Sequence, residues 1–270
     1  MPDLVQIILL ALIQGLSEFL PVSSSAHLVL PSLLLGWQDQ GLLFDVAVHG
    51  GTLLAVLLYF RRDIVSLLLD LVPGLAESSN SKGEVWRLAL ATAPVVFAGL
   101  LLNDIVETQL RSLLVIATTT IVFGVVLGLA VVRQQRAVQL RESSVSWWHA
   151  LLIGFAQAFA IVPGVSRSGV TISAAMLLGY PASVAARFSF LLSIPTILGA
   201  LVFMVVAMLA GEGQTVSSGL LAVAFVVAAA SAYATIALFL RVLAAVGLMP
   251  FVVYRMALGS ALLALVLFNG

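Results

Sequence analysis

Gln14-Gly15-Leu16-Ser17-Glu18-Phe19-Leu20-Pro21-Val22-Ser23-Ser24-Ser25-Ala26-His27 interrupts an otherwise apolar run over 4–35. A membrane-crossing helix needs about 20 apolar residues, and neither flank of this polar insert reaches that length. Pro21 and the three serines break the helix, so the pattern predicts two short helices joined by a polar turn, a re-entrant hairpin. The run 147–178 is broken in the same way by Pro163-Gly164-Val165-Ser166-Arg167-Ser168. Six other segments are long and apolar enough, or nearly so, to span: 42–60, 86–102, 113–132, 182–209, 219–240 and 251–268. The stretch 64–72 is too short, lies beside Asp63 and carries Asp70, and reads as interfacial or part-buried.

Composition excludes the soluble alternatives. Length alone, 270 residues, would suggest one or two soluble domains. Yet 62% of the chain is apolar and 9% charged, against roughly 25% charged in a soluble protein. A mean hydropathy of +1.19 leaves too little polar surface to coat a water-soluble globule. Twelve basic and twelve acidic residues cancel, so no net field points to nucleic acid. A β-barrel is excluded because the apolar stretches are continuous, not alternating. With no cysteine there is no disulfide, thiolate metal site or cysteine nucleophile. The first basic residue is Arg61, so the N-terminus lacks the basic flank of a signal peptide and is expected to belong to the mature structure. The expected fold is an all-α polytopic membrane protein of about six spanning helices plus two re-entrant helical hairpins, in a single membrane domain over 1–270.

The positive-inside rule sets its orientation. If both hairpins re-enter and the six segments cross, Arg61, Arg62, Lys82, Arg87, Arg133, Arg136, Arg141 and Arg241 fall on one side. Only Arg111 falls in a loop on the other. The first side is then cytoplasmic, both termini lie outside, and the hairpins enter from opposite faces. Opposite entry suggests an inverted-topology repeat, about 1–132 and 146–270 with a linker at about 133–145. Gln14, Pro21 and Ser24 resemble Gln157, Pro163 and Ser166. Phe44, Thr52, Leu54 and Leu57 match Phe188, Thr196, Leu198 and Leu201 at one constant offset. The two polar turns are therefore expected to meet near the bilayer midplane. Residues 77–82 read as an exposed loop.

The turns carry the chemistry. Gln14 and Glu18 share a helical face, as do Ser24 and His27 if the second half-helix starts near Ser23. Serines before an apolar helix are natural N-caps. A half-helix starting in mid-membrane aims free N–H groups and a positive dipole end inward. Two such ends plus Arg167, whose guanidinium can fork onto two phosphate oxygens, make an anion site. Each residue alone also has a structural reading. Membrane serines usually bond the preceding turn, a lone histidine usually packs, and Glu18 could simply pair with Arg167. Together, three ionisable groups in breaks that the topology brings together weigh toward function, because such groups are costly at the bilayer centre.

The stretch 14–27 fits [Glu/Gln]-x-x-x-Glu followed by Pro-Val-Ser-Ser and a histidine. Pro163-Gly164-Val165-Ser166-Arg167-Ser168-Gly169-Val170-Thr171 fits Pro-Gly-x-Ser-Arg-Ser-x-x-Thr. Both resemble the undecaprenyl pyrophosphate phosphatases, the bacitracin-resistance phosphatases, and the resemblance runs from Leu4 to Pro250-Phe251 and Tyr254-Arg255. It implies hydrolysis of undecaprenyl diphosphate to undecaprenyl phosphate, with a divalent cation, recycling the lipid carrier of cell-wall synthesis. Position 14 is Gln where many members have Glu, so Glu18 would bind Mg²⁺ or Ca²⁺ mainly with phosphate oxygens and water. Ser24 is the expected nucleophile with His27 or Glu18 as base; direct attack by water or by His27 stays open. Arg167, the half-helix ends and the cation would neutralise the phosphoryl charge. Ser166, Ser168 and Thr171 would bond phosphate oxygens, with Gln14, Ser23, Ser25 and Gly164 completing the substrate-binding set.

The expected partners are a polyprenyl diphosphate and bilayer lipid, with no nucleic acid. Gly124-x-x-x-Gly128 permits close helix packing, internal or in a homodimer. The expected location is the bacterial inner membrane, with the site open to the periplasmic side. A polyprenyl-phosphate flippase or transporter is the second function, since broken helices in inverted repeats are also carrier architecture. The Ser/His/Glu set favours chemistry over it. Arg187 and Arg255 could each snorkel or reach the site, and Asp45 with His49 reads as a supporting pair.

Overall fold

The structure, a computed structural model, describes residues 4–37, 40–72, 83–136, 144–209 and 217–269. For Asn103, Asp104, Glu107, Arg136 and Asn269 only the backbone is described. Among the described residues every regular element is helical. In chain order these are α1 (Leu4–Ser17), α2 (Ser24–Leu35), α3 (Leu42–Tyr59), α4 (Arg61–Leu69), α5 (Glu84–Gln109) and α6 (Leu113–Arg136). Then come α7 (Trp147–Ala158), a 3₁₀ turn (Phe159–Ile161), α8 (Arg167–Leu177), α9 (Ala182–Leu209), α10 (Ser218–Ala245) and α11 (Met249–Asn269). Lys82, Arg141, the loop 77–82 and most of the linker lie outside the described residues.

Six helices, α3, α5, α6, α9, α10 and α11, are long and apolar enough to cross a membrane. They are the six segments expected: α3 ends one residue earlier than read, α9 matches its expected bounds, and the other four are longer. The protein is a multi-span membrane protein. Side chains such as Phe97, Leu129, Val202 and Leu238 stay well exposed on these helices, as a lipid-facing surface requires. The interfacial stretch is α4, which starts directly at Arg61 after Phe60 ends α3. Pro94 and Pro195 lie inside α5 and α9 without ending them, because neighbouring helices can satisfy the freed backbone.

The two broken runs fold as read from the sequence. At 1.5 Å per residue, the 14 residues of α1 and 12 of α2 give roughly 21 and 18 Å, short of the ~30 Å hydrocarbon layer. The breaks occur at Ser23 (φ 77°) and Ser166 (φ 71°), the two non-glycine residues with positive φ among those described. Each immediately precedes a half-helix, so Ser23 and Ser166 hold like positions in their two turns. The halves exchange partners: α1 packs on α10, and α7 packs on α5. Gly15 makes the first contact possible, since a Cβ there would lie 2.7 Å from the Ala228 carbonyl oxygen.

One end of the bundle is rich in arginine. Arg187 Nη1 donates to Glu84 Oε1 at 2.7 Å, and Arg187 Nε donates to Asp63 Oδ1 at 2.8 Å. This joins α9 to α5 and α4. Arg87 Nη1 donates to the Val145 carbonyl at 2.6 Å at the same end. Trp86, Trp147 and Trp148 are exposed there, where indoles favour a headgroup layer. Gly124 and Gly128 face Arg255, Met256 and Val252 of α11, so that motif packs internally.

Candidate active site

Glu18 follows the last residue of α1, and its N–H still bonds the Gln14 carbonyl at 2.9 Å. This extra turn puts its carboxylate over Gln14, one helical turn back. Gln14 Nε2 donates to Glu18 Oε2 at 2.9 Å, and Ser24 Oγ donates to the same oxygen at 2.7 Å. Arg167 Nη2 donates to Glu18 Oε1 at 2.8 Å. Glu18 is 8% and Arg167 11% exposed by side chain; at that burial, removing one partner costs about 3–5 kcal/mol. The two turns therefore meet through a carboxylate from one and a guanidinium from the other. Phe19 fixes the place: its ring packs edge-on to Phe190 of α9 at 5.4 Å, and the Arg167 guanidinium lies 5.9 Å from its centroid.

Arg167 also donates through Nη1 to the Ser189 carbonyl at 3.2 Å. A guanidinium carries five N–H donors, so its fork retains donors for a phosphoryl group. Ser23 does not cap α2 with its side chain. Its hydroxyl instead accepts from the Gly164 N–H at 3.1 Å and lies 3.2 Å from Ser25 Oγ. Ser166 does cap α8, accepting from the Gly169 N–H at 3.1 Å. Ser168 Oγ donates to the Leu20 carbonyl at 2.8 Å. Thr171 Oγ1 donates to the Arg167 carbonyl at 2.8 Å and lies 2.7 Å from Ser189 Oγ. The hydroxyls of Ser166, Ser168 and Thr171 thus hold the second turn together and dock it on the first.

His27 is engaged at both ring nitrogens. Nδ1 lies 2.7 Å from the Ser23 carbonyl, which can only accept, so Nδ1 carries the proton. Nε2 then accepts from Tyr254 Oη at 2.6 Å, with the two rings stacked. Of the two bases expected for Ser24, Glu18 is the one bonded to it.

Arg255 is 1% exposed and braces both turns. Nη1 donates to the Pro21 carbonyl at 3.3 Å and Nη2 to the Gly164 carbonyl at 2.8 Å. Nε donates to the Thr120 carbonyl at 3.3 Å. Gly164 has φ +93°, and a Cβ there would lie 2.7 Å from the Ile116 carbonyl oxygen, so only glycine fits this turn against α6. Arg187 is held by Asp63 and Glu84. Tyr254, Ser189 and Thr119, which donates to the Pro163 carbonyl at 2.7 Å, escaped the sequence reading. They sit on distant helices, where only Tyr254 lay in a motif.

A cavity of about 430 Å³ reaches the first turn. Gln14, Ser24 and Ser25 line it, with Asp45 and His49 from α3 and Arg111 between α5 and α6. Leu28, Val29, Trp37, Phe44 and Met204 supply an apolar wall. It adjoins the start of α3, the end of the bundle opposite the Arg187 cluster. Among the described residues no three His, Cys, Asp or Glu side chains converge as a metal cage, and both Glu18 oxygens already accept hydrogen bonds. The residues present do not fit a resident divalent cation.

The family described as Bacitracin resistance protein BacA matches residues 7–261. An undecaprenyl-diphosphatase of Alcanivorax borkumensis is 52% identical over 266 residues, 97% of this chain and 98% of that protein. An undecaprenyl-diphosphatase of Saccharophagus degradans is 49% identical over 267 residues, 98% of this chain and 99% of its own.

Proposed function

The chain belongs to the bacitracin resistance protein BacA family, and on that premise we propose that it hydrolyses undecaprenyl diphosphate to undecaprenyl phosphate and inorganic phosphate. The observation that carries the reading is the Ser24–Glu18–Arg167 chain, built from both sequence motifs at 2.7 and 2.8 Å. Ser24 Oγ attacks the terminal phosphorus while Glu18 Oε2 accepts its proton. The bond to the bridging oxygen breaks, and lipid phosphate leaves without needing a proton. Arg167, with the N-termini of α2 and α8, stabilises the charge spreading over the phosphoryl oxygens. Tyr254 and Ser23 hold His27 so that it orients the first turn of α2.

A divalent cation, if the reaction uses one, would be held mainly by the substrate's phosphate oxygens and water, with Glu18 the nearby carboxylate, and would supply charge neutralisation. The apolar cavity wall receives the first isoprene units, and the rest of the tail lies between helices in hydrocarbon. The protein sits in the bacterial inner membrane with this cavity on the periplasmic side. The distance between the cavity and the arginine-rich end supports that orientation. Residues 1–132 and 146–270 are inverted-topology repeats; the exchange of α1 and α7 between halves and the paired serines supports this.

A flippase would use the arginine and the helix ends but has no need of a serine hydrogen-bonded to a carboxylate, so the carrier reading is not favoured. The test is phosphate release from a C55 or C15 prenyl diphosphate by purified protein in detergent, compared with Ser24→Ala. Wild-type turnover with at least a hundredfold loss in Ser24→Ala is expected. Lipid binding without phosphate release by the wild type would return the protein to the carriers.

A further inference from the structure

Two histidines stand near the turns, and they are bonded differently. Both nitrogens of His27 are occupied, by Ser23 and Tyr254. His49, one turn into α3 from Asp45, places Nδ1 2.8 Å from the Asp45 backbone carbonyl. A carbonyl only accepts, so Nδ1 carries the proton and Nε2 is the lone-pair nitrogen. His49 lines the same cavity as Ser24 and Gln14.

Gln14 supplies the second observation. It is fully buried, and its amide nitrogen is fixed on Glu18, because a carboxylate needs a donor there. Its Oε1 is buried and has no hydrogen-bond partner among the described residues. Buried acceptors in folded proteins almost always find a donor, and the donor this one lacks is one that enters from the cavity. Water is the simplest molecule that donates to Gln14 Oε1 with one O–H and to His49 Nε2 with the other.

We propose that His49 is a second catalytic residue, the base for the attacking water, with Gln14 Oε1 holding that water beside it. The inference rests on the Ser24 reading above for its place in the sequence of steps. After the first step, Ser24 carries the phosphoryl group and Glu18 carries the proton from the serine hydroxyl. The water oxygen bonds to phosphorus as one water proton passes to His49 Nε2. The Oγ–phosphorus bond breaks, its electron pair goes to Oγ, and Glu18 returns its proton there. Inorganic phosphate leaves through the cavity, and His49 gives its proton to solvent by the same route.

The test uses the full-length protein in detergent with C15 prenyl diphosphate labelled in its terminal phosphate. His49→Ala should lose about a hundredfold in turnover, and millimolar imidazole, small enough for the cavity, should restore part of it. The same variant should accumulate labelled phosphoprotein that wild type does not. His49→Gln keeps an amide donor for the Asp45 carbonyl, so it should elute and melt like wild type yet turn over as slowly as the alanine variant. Wild-type turnover in a folded His49→Gln, or a slow His49→Ala that imidazole leaves unchanged, would overturn the role. Imidazole rescue without any labelled protein would keep His49 as the base and overturn Ser24 as nucleophile, so the two readings fail separately.

Discussion

Arg255 is the strongest test of how the two turns are held. It is buried, and among the described residues its four acceptors are backbone carbonyls, none of them a carboxylate. Those of Thr119 and Thr120 also serve the ladder of α6, whereas those of Pro21 and Gly164 lie in the turns. Replacement by Met leaves these two acceptors without the guanidinium, at about 1–3 kcal/mol each when buried. Removing a buried charge that has no counterion recovers part of that, so the net loss should fall near the low end, about 2 kcal/mol. At roughly 2–4 °C per kcal/mol for a chain of this size, the melting midpoint in detergent should drop about 4–8 °C. Arg255→Lys is the sharper variant. It keeps the buried charge but reaches fewer carbonyls with its single ammonium, so it should be at least as destabilised as Arg255→Met. Arg241, exposed near the end of α10, is the control, and Arg241→Met should shift stability by less than about 0.5 kcal/mol. A wild-type midpoint for Arg255→Lys, or equal midpoints for Arg255→Met and Arg241→Met, would refute the bracing role.

Arg167→Lys should lose most activity along with Arg167→Ala, because an ammonium cannot hold Glu18, the Ser189 carbonyl and a phosphoryl group at once; phosphate-release rates check it. Gly164→Ala must fit a side chain at φ +93° against the Ile116 carbonyl, and should melt at least about 1 kcal/mol below wild type while losing turnover. Chelation should remove phosphate release and added Mg²⁺ or Ca²⁺ restore it, while isothermal titration of the metal without substrate shows no site tighter than millimolar. Ser25→Cys, in a chain with no other cysteine, should react with an impermeant thiol reagent added outside intact cells. Labelling solely in inverted vesicles would reverse the assigned orientation.

The sequence made the spans legible because continuous apolar runs have one solution in a bilayer, and Ala182–Leu209 was read to the residue. The breaks were legible because Pro21 and Pro163 stand inside runs too short to cross on either side. Glu18, Ser24 and Arg167 were legible as a set because only functional or paired ionisable groups survive there. The partner of each hydroxyl was not. Ser166, Ser168 and Thr171 bond to Gly169, Leu20 and Ser189, partners that the sequence pattern does not name. A serine in a polar turn has many acceptors within reach, and three-dimensional packing selects among them. For Arg255 the sequence left snorkelling and a place at the site both open, because a lone arginine after a proline near a helix start ordinarily snorkels. Its actual acceptors come from segments far apart in the chain, which no local pattern encodes. His49 was read as a support for the first hairpin because its i−4 neighbour is Asp45. That spacing does find a bond, from Nδ1 to the backbone carbonyl of Asp45, while the residue lines the cavity.

The strain at Ser23 and Ser166 explains why the site has to be made by both halves at once. A non-glycine residue in the left-handed region costs about 1–3 kcal/mol and persists only where its surroundings over-determine it. Ser166 is fixed within its own turn by the Gly169 N–H. Ser23 is fixed across the interface, by the Gly164 N–H on its hydroxyl, with His27 holding its carbonyl. Ser24 follows Ser23 directly, so the direction of its hydroxyl toward Glu18 depends on a backbone group of the second motif. Arg167 depends in the same way on Glu18 of the first. Each motif thus holds a side chain of the other, Ser23 by the Gly164 N–H and Arg167 by Glu18. The charges at mid-membrane, unfavourable in an isolated hairpin, become paired when the halves close together.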